Sequence, residues 1–327
     1  MTTLWDTTGS AVVKALSAER RQAGAVASGL ALTLVVVARE NGIAEAEAAA
    51  VQASATHPCR LLVVVRRQLD APAPRLDAEV TIGGRLGPGE AVVLRMYGRL
   101  GAHAESVVLP LLAPDTPVIT WWHGDPPQKI AYDPLGVLAD RRITDCDVTD
   151  DPLDALTTRA QDFAPGDTDL AWTRTTYWRS ILASAFDTPP GRPVAGRVTA
   201  QPRTATAALL AGWLGSRLSV DVALLEARGR GVASVEIDVE QPDGQTGTVQ
   251  LVRERGGTAV LRRPGTTDRE LPLADRDVGD LLAEEMRRLD ADQVYADALS
   301  AATGVPGLAE RPPYRSHIWH DPTQAAS

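Results

Sequence analysis

Aromatic and cationic side chains concentrate in the segment from Thr168 to Asp187, which reads TDLAWTRTTYWRSILASAFD. It carries two of the seven Trp, one of the five Tyr and one of the two Phe. Thr168 and Asp169 follow a Pro-Gly turn and predict the start of a helix, which we expect to run from Asp169 to Phe186. On such a helix the apolar side chains share one wide face. These side chains are Leu170, Tyr177, Trp178, Ile181, Leu182 and Ala185.

Arg174 falls inside this apolar face, three and four residues before Tyr177 and Trp178. An unpaired guanidinium there would be costly, so it must pair with a carboxylate, stack on an aromatic ring or contact a partner. Two interpretations stay open. The segment is either a core helix whose Arg side chain reaches the surface, or a helix that presents aromatic and Arg anchors at a protein interface.

A second candidate is the sequence WWHGDPP from Trp121 to Pro127, at the end of a predicted strand. In open parallel sheets, ligands bind beyond the carboxyl ends of the strands. Adjacent side chains on a strand point to opposite faces. One of Trp121 and Trp122 could therefore line a crevice together with His123 and Asp125, or both indoles could pack in the core.

Other patterns that could carry chemistry are weak. The Gly-rich segment from Gly83 to Gly89 offers no P-loop Lys, and no GxGxxG follows the first predicted strand. His57 with Cys59, and His317 with His320, are local pairs too small for a metal site. No nucleophile stands in a recognisable motif with a base and an orienting group. We therefore predict no catalytic, cofactor-binding or metal-binding residues.

Composition narrows the function classes further. The net charge of −9 and the isoelectric point near 5.1 predict no general attraction to nucleic acid. We find no secretory leader and no run of 18 apolar residues, so we expect no membrane span. Cys59 and Cys146 are predicted to be free thiols of a cytoplasmic protein. The densest acidic group is predicted to be a solvated entrance to a helix; it consists of Asp145, Asp147, Asp150, Asp151 and Asp154.

The N-terminal part has the pattern of a parallel sheet. Ala31 to Val37 and Arg60 to Val65 are continuous apolar runs, typical of strands buried on both faces. Helix-forming segments precede each of them, which indicates a βαβ unit. We predict an α/β domain over residues 1-187, with a mostly parallel sheet, flanking helices and the aromatic helix at its end.

After a linker from Asp187 to Arg192 the pattern changes. Val232 to Val239 and Thr246 to Arg253 alternate apolar and polar residues around a Pro-Asp-Gly turn, which predicts a hairpin. We predict a C-terminal α+β domain with an antiparallel meander over residues 192-310, followed by a flexible tail over 311-327.

Three motifs in this order, TWWHGDPP, RRITDC and DLAWTRTTYWRSILASAFD, resemble the OpcA family of glucose-6-phosphate dehydrogenase assembly proteins. The similarity extends over nearly the whole chain. The residues that match the W-x-R-x-x-x-W-R pattern are Trp172, Arg174, Trp178 and Arg179, and those that match the strand-and-loop motif are Trp121, Trp122 and Asp125.

The resemblance implies a protein that is not an enzyme and needs no cofactor. It implies binding to glucose-6-phosphate dehydrogenase, promotion of its oligomerisation, and allosteric activation in the oxidative pentose phosphate pathway. The implied partner-binding residues are Trp172, Arg174, Trp178, Arg179, Trp122 and Asp125. One alternative stays open, a sugar-phosphate-binding enzyme or sensor that uses the crevice near Trp122, His123 and Asp125.

Overall fold

The structure, a computed structural model, describes residues 1–23, 30–83, 89–124, 126–188 and 190–312. Its strands in chain order are β1 (Thr2–Leu4), β2 (Leu32–Ala38), β3 (Cys59–Arg67), β4 (Arg75–Ile82), β5 (Glu90–Tyr97), β6 (Val118–His123), β7 (Arg141–Thr144), β8 (Asp167–Asp169), β9 (Arg192–Ala200), β10 (Val222–Glu226), β11 (Val232–Glu240), β12 (Thr246–Arg253), β13 (Thr258–Arg262) and β14 (Arg269–Pro272). The predictions made for Asp125, for His317 and His320, and for most of the Gly-rich segment and the tail lie outside these residues.

The α-helices are α1 (Gly9–Ala23), α2 (Ile43–Ser54), α3 (Arg99–Ala102), α4 (Glu105–Val108), α5 (Pro134–Val137), α6 (Pro152–Asp162), α7 (Leu170–Arg174), α8 (Thr176–Ala185), α9 (Ala205–Leu218), α10 (Val278–Met286) and α11 (Gln293–Thr303). Short 3-10 helices cover Glu40–Gly42, Leu109–Leu111, Ile130–Tyr132 and Cys146–Val148.

The chain divides into two compact units. The first contains Met1–Thr144 and Asp277–Asp290, and the second contains Asp145–Arg276 and the described residues from Ala291 onward. The linker predicted from Asp187 to Arg192 therefore lies within the second unit. The division into domains 1-187 and 192-310, as a statement about which segments fold independently, stays a prediction.

The sheet of the first unit is mostly parallel, as the apolar runs predicted. Its strands lie in the order β1-β4-β5-β3-β2-β6-β7. Strands β5, β3, β2, β6 and β7 are parallel to one another, whereas β4 pairs with β5 and β1 pairs with β4 in antiparallel orientation at one edge. Strands β2 and β3 have almost no exposed side chains, because helices cover both faces of a parallel sheet.

The two faces of this sheet are covered differently. On one face, Val12 and Leu16 of α1 pack with Val107 and Val108 of α4 against the β-branched and Leu side chains of the strands. On the other face lies α2, whose buried side chains are all Ala. Helix α10 packs closely on α2, where a Cβ added to Gly279 would lie 2.5 Å from the Gln52 side chain. The lack of a side chain at Gly279, together with the small Ala residues on the buried face of α2, permits this close approach.

The second unit has the predicted antiparallel meander. Its sheet has the strand order β10-β9-β11-β12-β13-β14, in which β10 is parallel to β9 and the remaining pairs are antiparallel. The fold class predicted from the sequence, an α/β part with a mostly parallel sheet plus an α+β part with an antiparallel meander, is confirmed.

Two apolar clusters hold the second unit together. One joins α8 and α9 to the buried side of the antiparallel sheet, through residues such as Trp178, Leu182 and Leu214. The other joins α6, α7, α9 and α11 around Trp172 and Tyr295. The two Trp residues of the W-x-R-x-x-x-W-R motif therefore sit in different cores of the same unit.

Candidate functional site

The aromatic segment forms two helices. The Asp169 carboxylate caps α7 by accepting the N–H of Ala171 at 2.9 Å. Helix α7 ends at Arg174. The next residue, Thr175, donates its hydroxyl to the carbonyl of Trp172 at 2.7 Å, and α8 begins at Thr176. The prediction of one continuous helix from Asp169 to Phe186 is corrected in this respect. A Thr hydroxyl that bonds to backbone within the same turn bends or interrupts a helix.

Trp172 lies in the core of the second unit, where both its indole N–H and its ring contact other side chains. Its indole N–H donates to the carboxylate of Asp292 at 2.9 Å. The guanidinium of Arg179 lies 3.6 Å from the centroid of its ring, and the ring of Tyr295 lies 5.8 Å away. Stacking of Arg179 on Trp172 fixes both side chains across the junction between α7 and α8.

Arg174 is paired inside the protein. Its guanidinium donates two hydrogen bonds to the carboxylate of Asp145, both 2.7 Å long, and its Nη1 lies 3.8 Å from Asp147. Asp147 in turn accepts hydrogen bonds from Thr204, Thr206 and the N–H of Ala205 at the start of α9. The carboxylate that Arg174 needs is therefore intramolecular, although 27% of its side chain is still exposed.

Burial raises the pKa of Asp145 to about 6, because the hydrogen bonds from Arg174 offset only part of the desolvation and Asp169 and Asp147 add like charge. The pKa of Arg174 is raised above its ordinary value. Burial alone would lower it, but the hydrogen bonds to Asp145 and the nearby carboxylate charges outweigh burial. The prediction of a solvated acidic edge is wrong for Asp145, which is buried. The sequence offers no periodic signal for Asp145, because the backbone changes from extended at Asp145 to a 3-10 helix over Cys146–Val148.

Tyr177 points away from the core. Trp178, Leu182 and Ala185 take the buried positions of α8, and Tyr177 is 45% exposed with the guanidinium of Arg276 at 5.1 Å from its ring. The prediction that Tyr177 belongs to the buried face is therefore wrong. Once α8 starts anew at Thr176, Trp178 takes the inward position, and the preceding residue is rotated by about 100°.

Exposed side chains follow both Arg174 and its acidic partners closely in the sequence. Val148, which follows the Asp147 carboxylate near Arg174, is a second large apolar side chain left in solvent. We call Val148, Arg174, Tyr177 and Arg276 the Tyr177 surface. It combines one aromatic ring, one aliphatic side chain and two guanidinium groups; Tyr and Arg are enriched where proteins bind each other. The sequence identified Arg174 and missed Val148 and Arg276, which no motif distinguishes.

Both Trp residues of the strand motif are buried. On β6 the side chains of Trp121 and Trp122 are each 1% exposed. The ring of Trp122 packs at Gly136, where an added Cβ would lie 3.4 Å from its Cη2 and 1.8 Å from the carbonyl oxygen of Ile130. Of the two arrangements that the sequence left open, the structure has both indoles packed in the core. Neither indole N–H has a hydrogen-bond partner among the described residues.

The carboxyl ends of β2 and β6 meet where the strand order reverses, which is the usual ligand position in such sheets. There the Nε2 atom of His123 lies 3.8 Å from Glu45, in the first turn of α2, and its ring lies against Gly42. Glu40 stands in the same connection and pairs with Arg95. A carboxylate at the start of α2 disfavours a phosphate in this position, because the helix end that would bind an anion already faces one.

The remaining reactive groups are buried or isolated. Cys59 and Cys146 are free and buried, and burial raises the pKa of the Cys59 thiol to about 12. Within the described ranges, no three His, Cys, Asp or Glu side chains are grouped to hold a metal ion. None of the helices in the part of the chain that the structure describes is both long and apolar enough to cross a membrane.

Comparison with known proteins places the chain in a family. A protein-family model described as glucose-6-phosphate dehydrogenase subunit N-terminal domain matches residues 50–161. The family model for the C-terminal domain of the same subunit matches residues 165–299. A Synechocystis sp. protein, described as an OxPP cycle protein OpcA, is 27% identical over 183 residues. That match covers 50% of this chain and 38% of the relative, so the matched region is well under half of the relative's length.

The fold is α/β, and the two consecutive matches are to domains described as parts of a glucose-6-phosphate dehydrogenase subunit. The chain belongs to the OpcA family. Among solved structures, an NAD binding oxidoreductase from Klebsiella pneumoniae has a TM-score of 0.44 and 10% identity, covering 86% of this chain and 96% of that one. A 3-ketoreductase from Actinomadura kijaniata has a TM-score of 0.39 and 10% identity, covering 84% and 96%. Likenesses of this size carry no argument about fold or activity.

Proposed function

We propose that this protein binds glucose-6-phosphate dehydrogenase, promotes its oligomerisation and raises its activity in the oxidative pentose phosphate pathway. The observation that carries the proposal is the pair of family matches over residues 50–161 and 165–299. The descriptions of both families name glucose-6-phosphate dehydrogenase. The relative described as an OxPP cycle protein supports the same pathway.

The contact with the dehydrogenase is made, in this proposal, by the Tyr177 surface. Tyr177 is the exposed ring of an otherwise buried aromatic segment, and an exposed Tyr beside Arg is a frequent anchor at interfaces. Arg174 remains partly exposed while Asp145 holds it in one geometry, so it can donate to a partner without first losing side-chain freedom.

Trp172, Trp178 and Arg179 act as positioning residues in this proposal. The two indoles are buried, and Arg179 stacks on Trp172, so these residues hold α8 in place and bring Tyr177 to the surface. Trp122 is likewise buried and acts through the fold. Asp125, outside the described residues, is proposed as a second contact.

The protein has, in this proposal, no catalytic activity and no cofactor of its own. We propose the cytoplasm as its compartment and no nucleic acid or membrane as partner, in line with the net charge of −9. An activator of this kind raises the activity of the dehydrogenase only through a difference in its affinity for two states of that enzyme.

A titration of the purified dehydrogenase with this protein tests the proposal. Mass, measured by light scattering after gel filtration, should shift to a complex, and NADP reduction with glucose 6-phosphate should rise in parallel until the binding sites are filled. The protein alone should reduce no NADP. The absence of a mass shift, or dehydrogenase activity in the protein alone, would contradict the proposal.

A further inference from the structure

In the described residues the chain passes from one compact unit to the other at three places. These connections are the peptide bonds that follow Thr144, Arg276 and Asp290. Each of them falls between two secondary-structure elements or at the end of one. Residues in such positions are the ones that absorb the backbone changes of a hinge, so the contacts that hold them decide how freely the connections move.

The first connection is held by α7. Asp145, the first residue of the second unit, accepts two hydrogen bonds of 2.7 Å from Arg174, the last residue of α7. The next residue, Cys146, donates its backbone N–H to the carboxylate of Asp169 at 3.1 Å, and the same carboxylate caps α7. The chain is therefore bound to both ends of α7 as it enters the second unit.

The second and third connections are held by the same part of the chain. Arg276, the last residue before the second connection, donates to the carbonyl of Thr173 at 3.4 Å, and its guanidinium lies 5.1 Å from the centroid of the Tyr177 ring. Asp292, two residues after the third connection begins, accepts the indole N–H of Trp172 at 2.9 Å and caps α11 with its other carboxylate oxygen.

We propose that residues 172–177, which we call the anchor segment, hold the three connections as one cooperative unit, so that loosening one of them loosens the others. Parts of a chain that are bound to one short rigid element open together, because movement of that element breaks all of its contacts at once. Arg179 makes the anchor segment rigid, since it stacks on Trp172 at 3.6 Å and donates to the hydroxyl of Thr175 at 2.8 Å.

The anchor segment overlaps the Tyr177 surface. Arg174 and Tyr177 belong to both, and Arg276 belongs to this surface and to the second connection. A partner bound to the Tyr177 surface therefore reduces the freedom of all three connections, two of which lead to and from α10 in the first unit. That consequence rests on the proposed function, whereas the cooperative anchoring rests only on contacts within the second unit.

Hydrogen–deuterium exchange of the full chain, measured on peptides that cover the three connections, tests the cooperativity. Asp292→Asn keeps a good cap on α11 but loses the hydrogen bond from Trp172. Exchange should rise by at least about tenfold at the third connection, because a hydrogen bond to a charged group is lost. It should rise by a similar factor at the second connection, although the contacts there are made by Thr173 and Tyr177.

The second connection is the decisive position in this variant. Arg141 donates to the carbonyl of Asp290 at 3.1 Å, so the first and third connections are also tied to each other within the first unit. An increase at the first connection could therefore arrive through Arg141, whereas an increase at the second connection reports on the anchor segment.

A second variant tests the coupling in the opposite direction. Tyr177→Ala removes the ring beside Arg276 and should raise exchange at the third connection by about threefold, because coupling between sites is reciprocal and an exposed cation–π contact is weak. Asp238→Asn is the matched control, since Asp238 also lies in the second unit and accepts two hydrogen bonds from one Arg side chain, on β11. It should leave exchange at all three connections at the wild-type rate.

Melting temperatures close to the wild-type value would show that the variants fold, and if Asp292→Asn does not fold, Tyr177→Ala decides. An increase in Asp292→Asn that leaves the second connection at the wild-type rate overturns the proposal. So does a Tyr177→Ala variant whose third connection exchanges like the wild type, or an Asp238→Asn variant that loosens the connections as much as Asp292→Asn does.

Discussion

The two Trp-containing motifs of this chain place the same residue type in opposite surroundings. On β6, Trp121 and Trp122 lie in an apolar environment, and their N–H groups have no partner among the described residues. On α7 and α8, Trp172 is bound by Asp292 and Arg179, and the exposed Tyr177 stands next to Trp178.

This difference separates motifs that build a fold from motifs that can present a surface. The β6 pair fills space in the first unit and exposes nothing. In the second unit, charged groups fix the indole of Trp172 and the guanidinium of Arg174, and a ring and two guanidinium groups remain accessible above them. We therefore expect substitutions in the first motif to change stability and those in the second to change binding, to a degree that depends on exposure.

The largest expected effect is on stability at β6. Trp122→Ala should lower the free energy of unfolding by about 3–5 kcal/mol, since it leaves a cavity beside Gly136 that the surrounding backbone cannot fill. Urea denaturation measures this loss. Trp5→Ala is the control: Trp5 is largely exposed, so its removal should cost less than about 0.5 kcal/mol. Equal losses in the two variants would remove the contrast between buried and exposed Trp.

The next effect is at the Arg174 ion pair. Arg174→Met should lower the free energy of unfolding by about 2 kcal/mol near neutral pH, because the buried carboxylate of Asp145 loses its partner. In the wild type, burial raises the folded pKa of Asp145 to about 6 from 3.8. The contribution of the Asp145 carboxyl to folding stability is therefore fully present below its unfolded pKa of 3.8, and it is lost as pH rises through its folded pKa of about 6.

Without Arg174 the folded pKa of Asp145 should rise further, so the variant should lose more stability near pH 8 than near pH 5, where the carboxyl is protonated. Denaturation curves at both pH values measure the difference. Arg192→Met, which breaks an exposed pair with Glu240, should change stability little at either pH. A loss in Arg174→Met that is independent of pH would contradict the assignment of Asp145 as the unpaired group.

A smaller effect is expected at Arg179. Arg179→Gln removes the guanidinium stacked on Trp172 and should cost about 1 kcal/mol of unfolding free energy. Lys129→Gln removes an exposed cation near the ring of Tyr132, and its effect should be close to zero. Thermal melts of the two variants compare the buried and the exposed stack. If the two changes cost the same, Arg179 does not hold the junction between α7 and α8.

The fold was predictable because it depends on periodicity and on residue type. The alternation at β11 and β12 indicates half-buried antiparallel strands, and the short length and Val content of the apolar runs at β2 and β3 favour buried parallel strands. The packing of α10 in the first unit was not predictable, because an amphipathic helix specifies that it has a buried face but not which surface covers it.

The candidate site was predictable only in part. The sequence places Arg174 among aromatic residues, which predicts that a carboxylate or a partner must pair with its guanidinium. It does not identify Asp145, 29 residues earlier, as that carboxylate. It placed Tyr177 in the core because a helix without the Thr175 interruption would bury it. Arg276 and Asp292 come from distant segments, and only the tertiary structure brings them to Tyr177 and Trp172.

The central claim is that the Tyr177 surface binds the dehydrogenase. The most direct test compares Tyr177→Ala with Tyr132→Ala, since these Tyr side chains are 45% and 50% exposed in different units. Both variants should melt within about 2 °C of the wild type, because neither ring is part of a core. In a titration of dehydrogenase activity, Tyr177→Ala should need at least about tenfold more protein for half-maximal activation, whereas Tyr132→Ala should match the wild type. Wild-type activation by Tyr177→Ala would contradict the claim.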